Sequence, residues 1–333
     1  MASRNLFEEQ ARNRRATWLL IAGFVLFLAF LGFGFDLFVL GFDWTRPLAR
    51  GEAPVPMAAT AALLFGSGSA WLGYRFGDRA VLASSGARPL VPDDPFSKVL
   101  MNVVTEMSLA AGLPMPKVYV VDDPDPNAFA TGRDPDHASI AVTSGLLTAM
   151  TRDELQGVIA HEMSHVRNYD IRKMTVVAAV LGAVLLLSDW ASRVRLGGRR
   201  GRDDDRGGIS LGPLAIVVFV VWVLAIVLAP LVGQLLATAV SRSREYLADA
   251  SGAELTRNPL GLASALRKLR AATAPTTRIA RGTAHLCIDD PLDRPANERE
   301  GRLADLLATH PPLQDRIARL EQMAYQKPGG PTT

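Results

Sequence analysis

Apolar residues along this 333-residue chain are gathered into four blocks set in otherwise soluble-looking sequence. The first covers residues 18–42 and is interrupted only by Asp36. The second, residues 57–76, is diluted by Gly66, Ser67, Gly68 and Ser69. The third, 176–187, is short; the fourth, 209–236, is long and carries Pro213 and Pro230. A membrane-spanning helix needs about 20 apolar residues, so the first and fourth blocks meet the length most securely. The third reads equally as a hairpin arm or an interfacial helix.

Between the second and third blocks the periodicity changes. Residues 95–111 space their apolar positions as a helix does, whereas 117–121 and 139–143 are Val- and Ile-rich and read as short strands. Residues 122–136 are dense in Pro and Asp, which marks turns, and within them 127–132 reads as another short strand. Thr151-Arg152-Asp153-Glu154 is a capping box that opens a helix. That helix is striped by Leu155, Val158, Ile159, Glu162 and Val166, and its pattern can be carried past Asp170 into the third block. Beyond the fourth block, 242–255 and 259–271 read as helices, 274–300 as irregular, and a last helix follows Pro311-Pro312 through Ile317, Leu320 and Met323. The division expected is an N-terminal segment 1–17, a two-span hairpin 18–77 and a catalytic part 78–174. A second apolar hairpin 175–237 with an Arg-rich loop 191–208, a catalytic part 238–326 and a disordered tail 327–333 complete it.

Charge narrows the class of partner. Lys and Arg number 36 against 33 Asp and Glu, a net +3. The basic residues are mostly Arg flanking the apolar blocks, which suits lipid headgroups and leaves no stripe for nucleic acid. Arg12, Arg14 and Arg15 precede an apolar run longer than a signal-peptide core, with no small-residue cleavage pattern after it. The first block therefore reads as an uncleaved span with its N-terminus in the cytoplasm. Cys287 is the only cysteine, which excludes an intrachain disulfide and a Cys-based zinc ribbon.

The chemistry lies in His161-Glu162-Met163-Ser164-His165. Histidines four apart on a helix put both imidazoles on one face, one turn apart, as two ligands of a single tetrahedral zinc. Glu162 then sits beside the open coordination position, able to take a proton from a water and pass it to the leaving amine. The bland alternative is two surface histidines on an amphipathic helix. A catalytic site needs a third ligand. His137, His285 and His310 are available, but the best candidate is Glu245, with Asp249 four residues on orienting a ligand imidazole. Carboxylates so spaced, with Arg244 nearby, are equally an ordinary solvated helix face.

The HExxH pentad together with Ser-Arg-x-x-Glu-Tyr-x-Ala-Asp at 241–249 resembles the HtpX-type membrane zinc peptidases, relatives of the CAAX prenyl endopeptidases. Thr309-His310-Pro311-Pro312, Arg316 and Asn127-Ala128-Phe129-Ala130 are similar to elements of that family, as are the four apolar blocks placed two and two. The resemblance implies a mainly α membrane protein: a helical anchor of about four transmembrane helices carrying an α+β zincin-type domain with a small sheet. It implies one zinc per chain held by His161, His165 and Glu245, with Glu162 as base and Asp249 behind a ligand. It further implies His310 as a hydrogen-bond donor to the transition state, Arg316 bracing the carboxylates, and Asn127, Ala128, Phe129 and Ala130 as an edge strand that aligns a substrate peptide. The insert at 193–206 and the N-terminal extension 1–16 depart from the family pattern and are not expected to touch the metal site.

His165 and Glu245 must reach one ion, so the third and fourth blocks both span or neither does. The Arg residues before block one, with Arg75, Arg79 and Arg88 after block two, place the catalytic part in the cytoplasm of a multi-pass cell-membrane protein, where a lone thiol is at home. Spanning would translocate the Arg-rich loop against the positive-inside tendency; a hairpin returning it to the cytoplasmic side is the other solution. Arg152, Asp153, Glu154, Arg167, Asn168, Asp170, Arg172 and Lys173 around the pentad are too polar for the hydrocarbon, which argues against an intramembrane protease. The function that the resemblance implies is hydrolysis of peptide bonds in membrane or misfolded proteins. A metal-binding transporter, a catalytically silent adaptor and a peptidase of prenylated substrates are the competing readings.

Overall fold

In a computed structural model, residues 6–40, 42, 55–91, 93–179, 219–224, 242–279, 283–292 and 310–325 are described. The first apolar block lies in α1 (Leu6–Phe38), which begins twelve residues before Trp18, so the Arg-bearing segment is helical too. The second lies in α2 (Met57–Ser84). Asp36, the one interruption of the first block, is buried and accepts from Ala58 N at 2.9 Å and Ala59 N at 2.8 Å. It thus satisfies two orphan amides at the start of α2. Among the described residues one helical stretch, Gln10–Phe38, is long and apolar enough to cross a membrane. The third and fourth blocks lie largely, and the Arg-rich loop wholly, outside the described residues, so the four-span expectation extends beyond them.

The next elements are β1 (Arg88–Pro89), α3 (Pro95–Ala111), β2 (Lys117–Val121), β3 (Ala128–Thr131), β4 (Ser139–Thr143), α4 (Ser144–Ala149) and α5 (Arg152–Arg167). After them come α6 (Arg242–Thr256), α7 (Pro259–Ala271) and α8 (Leu313–Tyr325). The sheet order is β1-β2-β4-β3; β2 and β4 are parallel and the other pairs antiparallel. Alternate strand residues enter different apolar clusters. Val118, Ala128, Ala130, Ile140 and Val142 pack with α3, α5, α7 and α8, whereas Val121, Phe129 and Ala141 pack with Val81, Met174, Ile279 and Leu286. A sheet covered on both faces explains why its strands read as continuous Val and Ile runs.

Two compact units result. One comprises Met1–Thr17, Gly73–Ala179 and Leu235–Thr333; the other, Trp18–Leu72 and Val180–Gln234. The first holds the sheet, both clusters and α3 to α8. In the second, a Cβ on Gly32 would come within 2.6 Å of the Ala58 carbonyl oxygen, so α1 and α2 pack backbone to backbone there.

The helix carrying the pentad does not run on. It ends at Arg167, Tyr169 takes φ 60°, and helix resumes at Asp170 and is described to residue 179. β1 and α4 carry no periodic signal and were not anticipated; β1 owes its existence to pairing with β2.

Candidate metal centre

Thr151 and Glu154 form the reciprocal capping box that starts α5, with Thr151 N donating to Glu154 Oε2 at 2.8 Å. Lys268 Nζ and Ser264 Oγ of α7 also bind this carboxylate, at 2.6 and 2.7 Å. From that anchored start the helix carries His161, Glu162 and His165 into the interior, all buried. The two rings meet edge to face with centroids 4.8 Å apart, and their Nε2 atoms are 3.2 Å apart.

Glu245 on α6 completes a triangle. Its Oε2 lies 3.6 Å from His161 Nε2 and its Oε1 3.5 Å from His165 Nε2. Donors at about 2.0–2.2 Å from a tetrahedral zinc stand about 3.3–3.6 Å from one another. Among the described residues neither Glu245 oxygen, both buried, has a hydrogen-bond donor, the state of a carboxylate that serves a cation. Burial alone would push the Glu245 carboxyl up, but His310, His165 and Arg316 hold it well below the ordinary range, so it is ionised. The donor set of two imidazoles and a carboxylate therefore fits a zinc-like ion.

Behind each imidazole stands a carboxylate. His161 Nδ1 is 3.0 Å from Asp249 Oδ1, and Arg316 clamps Asp249 with Nε to Oδ2 at 2.9 Å and Nη2 to Oδ1 at 2.8 Å. Arg316, fully buried, also donates to Ile288 O at 2.9 Å and lies 3.6 Å from Glu245 Oε2. His165 Nδ1 is 3.2 Å from Asp170 Oδ2. Asp170 was missed as a partner of the site. Its place depends on the left-handed turn at Tyr169, which no spacing rule foretells.

Glu162 is buried, which pushes its carboxyl pKa up. His161 and His165 pull against this, Glu245 adds to it, and a hydrogen bond from the Ala130 backbone pulls it down. His310 turns Nδ1 to within 3.3 Å of Glu245 Oε2, and its buried Nε2 has no hydrogen-bond partner among the described residues. The remaining histidines lie elsewhere: His137 bonds Asp134 at the surface and His285 faces Met174 O.

The strand expected to align substrate is β3, which does lie at the sheet edge. Its first half is occupied by the chain itself. Ile288 N donates to Ala128 O at 2.9 Å, and Phe129 bridges to Cys287. Asn127 Nδ2 donates to Asp289 O at 2.7 Å, while its Oδ1 accepts from Ala128 N at 3.0 Å. Asn127 and Ala128 are thus spent on holding residues 287–289.

Peptidase family M48 matches residues 97–324 of this chain. A "Protease HtpX homolog" of Caldanaerobacter subterraneus subsp. tengcongensis is 44% identical over 326 residues, 97% of this chain and 99% of its own. Proteins of the same description from Thermoanaerobacter pseudethanolicus and Tropheryma whipplei are each 43% identical, over 97% and 95% of this chain and 99% and 98% of theirs. Among solved structures, S. mikatae Ste24p is similar at a TM-score of 0.46 and 20% identity, over 95% of this chain and 66% of that one, a likeness too weak to bear on the chemistry.

Proposed function

The chain belongs to peptidase family M48, and from that premise we propose that it is a membrane-anchored zinc endopeptidase with His161, His165 and Glu245 as ligands and Glu162 as general base. The observation that carries the reading is the triangle of His161 Nε2, His165 Nε2 and the donor-free Glu245 carboxylate, 3.2 to 3.6 Å on a side.

When bound, zinc supplies a Lewis acid that polarises a peptide carbonyl and lowers the pKa of a water toward ~7. Glu162 would be the residue placed to accept a proton from such a water. Glu162 would then hand that proton to the departing amine. Asp249 and Asp170 take the Nδ1 protons and leave each Nε2 lone pair to the ion. His310 Nε2 is the donor assigned to the oxyanion that forms at the carbonyl.

Exposed Trp18, Leu19, Leu26, Leu64 and Trp71 on α1 and α2 support a lipid environment for those helices. Arg12, Arg14 and Arg15 before the first apolar run, with Arg75 and Arg79 late in α2, support a cytoplasmic catalytic unit by the positive-inside rule. Membrane and misfolded polypeptides are the substrates proposed, with the third and fourth blocks completing a multi-pass anchor. The test is Glu162→Gln in the full chain. Its zinc content by elemental analysis stays at one per chain while casein hydrolysis falls about 10²- to 10⁴-fold; undiminished cleavage rejects Glu162 as base.

A further inference from the structure

The two imidazoles are backed unequally. Asp249, behind His161, is gripped at both oxygens by Arg316. Asp170, behind His165, spends Oδ2 on the imidazole, and its Oδ1 accepts from Asn13 Nδ2 at 2.8 Å and lies 3.3 Å from Arg244 Nη1. Asn13 is buried and stands 157 residues away in sequence, in the extension not expected to touch the site. Its Nδ2 also donates to Asn168 O at 2.9 Å. One amide nitrogen carries two protons, and both acceptors are oxygens, so the orientation of this side chain is dictated by chemistry.

Gln10, Asn13 and Thr17 lie on one face of α1. Gln10 Nε2 donates to Arg167 O at 2.9 Å, and Thr17 Oγ1 donates to Asn13 O at 2.9 Å. Gln10 and Asn13 thereby cap carbonyls that α5 leaves open at its C-terminal end. Only Asn13 goes further. By holding Asn168 O and Asp170 Oδ1 with one nitrogen, it fixes the carboxylate relative to the end of the helix that carries both histidines. Arg244 Nη1 approaches the same oxygen less closely, at 3.3 Å.

We propose that Asn13 is a positioning residue of the metal centre, holding Asp170 in the one orientation in which it accepts the His165 Nδ1 proton. This rests on His165 being a ligand. Loss of a carboxylate behind a metal-bound histidine typically weakens binding 10- to 100-fold. Asn13 stands one layer farther out, so its loss weakens zinc binding about 3- to 10-fold.

The experiment measures the zinc dissociation constant of the full-length protein in detergent micelles by competition with a chromophoric chelator. The absorption spectrum of the cobalt-loaded protein serves as a second readout of ligand geometry. Asn13→Ala binds zinc several-fold more weakly and shifts the cobalt bands; Asn13→Asp, which sets a carboxylate against Asp170, does so more severely. Gln10→Ala breaks a helix cap without reaching Asp170 and stays within about two-fold of wild type. Should Asn13→Asp not fold, Asn13→Ala still decides. Wild-type affinity in Asn13→Ala, or an equal loss in Gln10→Ala, overturns the proposal and leaves the metal centre standing. Stoichiometric tight zinc in Glu245→Ala removes the centre itself, and the inference with it.

Discussion

The carboxylate of Asp123 is buried and accepts four hydrogen bonds: from Asp125 N on Oδ1, and from Thr276 Oγ1, Thr277 N and Arg278 N on Oδ2. Burial alone would raise its pKa, but these donors outweigh it and hold the carboxyl below its ordinary value. A depressed folded-state pKa contributes stability that is complete above the unfolded-state value and is lost as pH falls through the folded one. Asp123→Asn therefore lowers the melting temperature at neutral pH, and the gap from wild type narrows below about pH 4. Asp123→Ala leaves buried amides without acceptors and costs on the order of 3 kcal/mol in denaturant titration. Such partnerships mark the limit of sequence reading at this scale. The capping role of Glu154 was legible because its partner, Thr151, is three residues away. Its bonds to Ser264 and Lys268 were not, nor was the bond from Asn13 to Asp170, because those partners come from remote stretches of chain; Asp170 is five residues from His165 but meets it through the left-handed turn at Tyr169.

Elements were legible where their ends are set locally. Helix α3 begins at Asp94, whose side chain accepts from Phe96 N and Ser97 N, continues through Pro95 and stops at Gly112 in the left-handed region. Each signal can be read from neighbours, and the expected bounds 95–111 coincide with the observed ones. The bounds of β2, β4 and α7 coincide likewise. Helix past Asp170 was legible from the apolar pattern, but the break at Asn168 and Tyr169 was not, because that pattern carries on while the backbone turns. Contact between helices is set by glycine. A Cβ on Gly157 of α5 would lie 2.7 Å from Leu262 N of α7, and one on Gly252 of α6 would lie 3.1 Å from His161 N. Backbone cannot yield as a flexible side chain does, so Gly157→Ala forces α5 and α7 apart and destabilises by about 1–3 kcal/mol, read as a lower denaturant midpoint with unchanged slope. Gly252 stands two turns beyond Glu245 on α6, so the same closeness that admits no side chain there keeps the carboxylate near the imidazoles.

For the molecule as a whole, the motif and its surrounding helices were readable, whereas the occupation of the β3 edge by residues 287–288 depends on packing that leaves no local trace. The proposed ligands come from α5 and α6, so removing the ion leaves two imidazoles and a buried carboxylate facing one another without their cation. Chelation lowers the thermal midpoint by several degrees in a scanning measurement, and excess zinc restores it in proportion to ln(1 + [Zn]/Kd). Glu245 lies 80 residues after His165. During biosynthesis the pentad therefore leaves the ribosome well before the carboxylate that completes its triangle. A nascent chain ending ahead of Arg242 has two of the three proposed donors and no enclosed centre, so on this reading the protease stays silent toward its neighbours until α6 has been delivered.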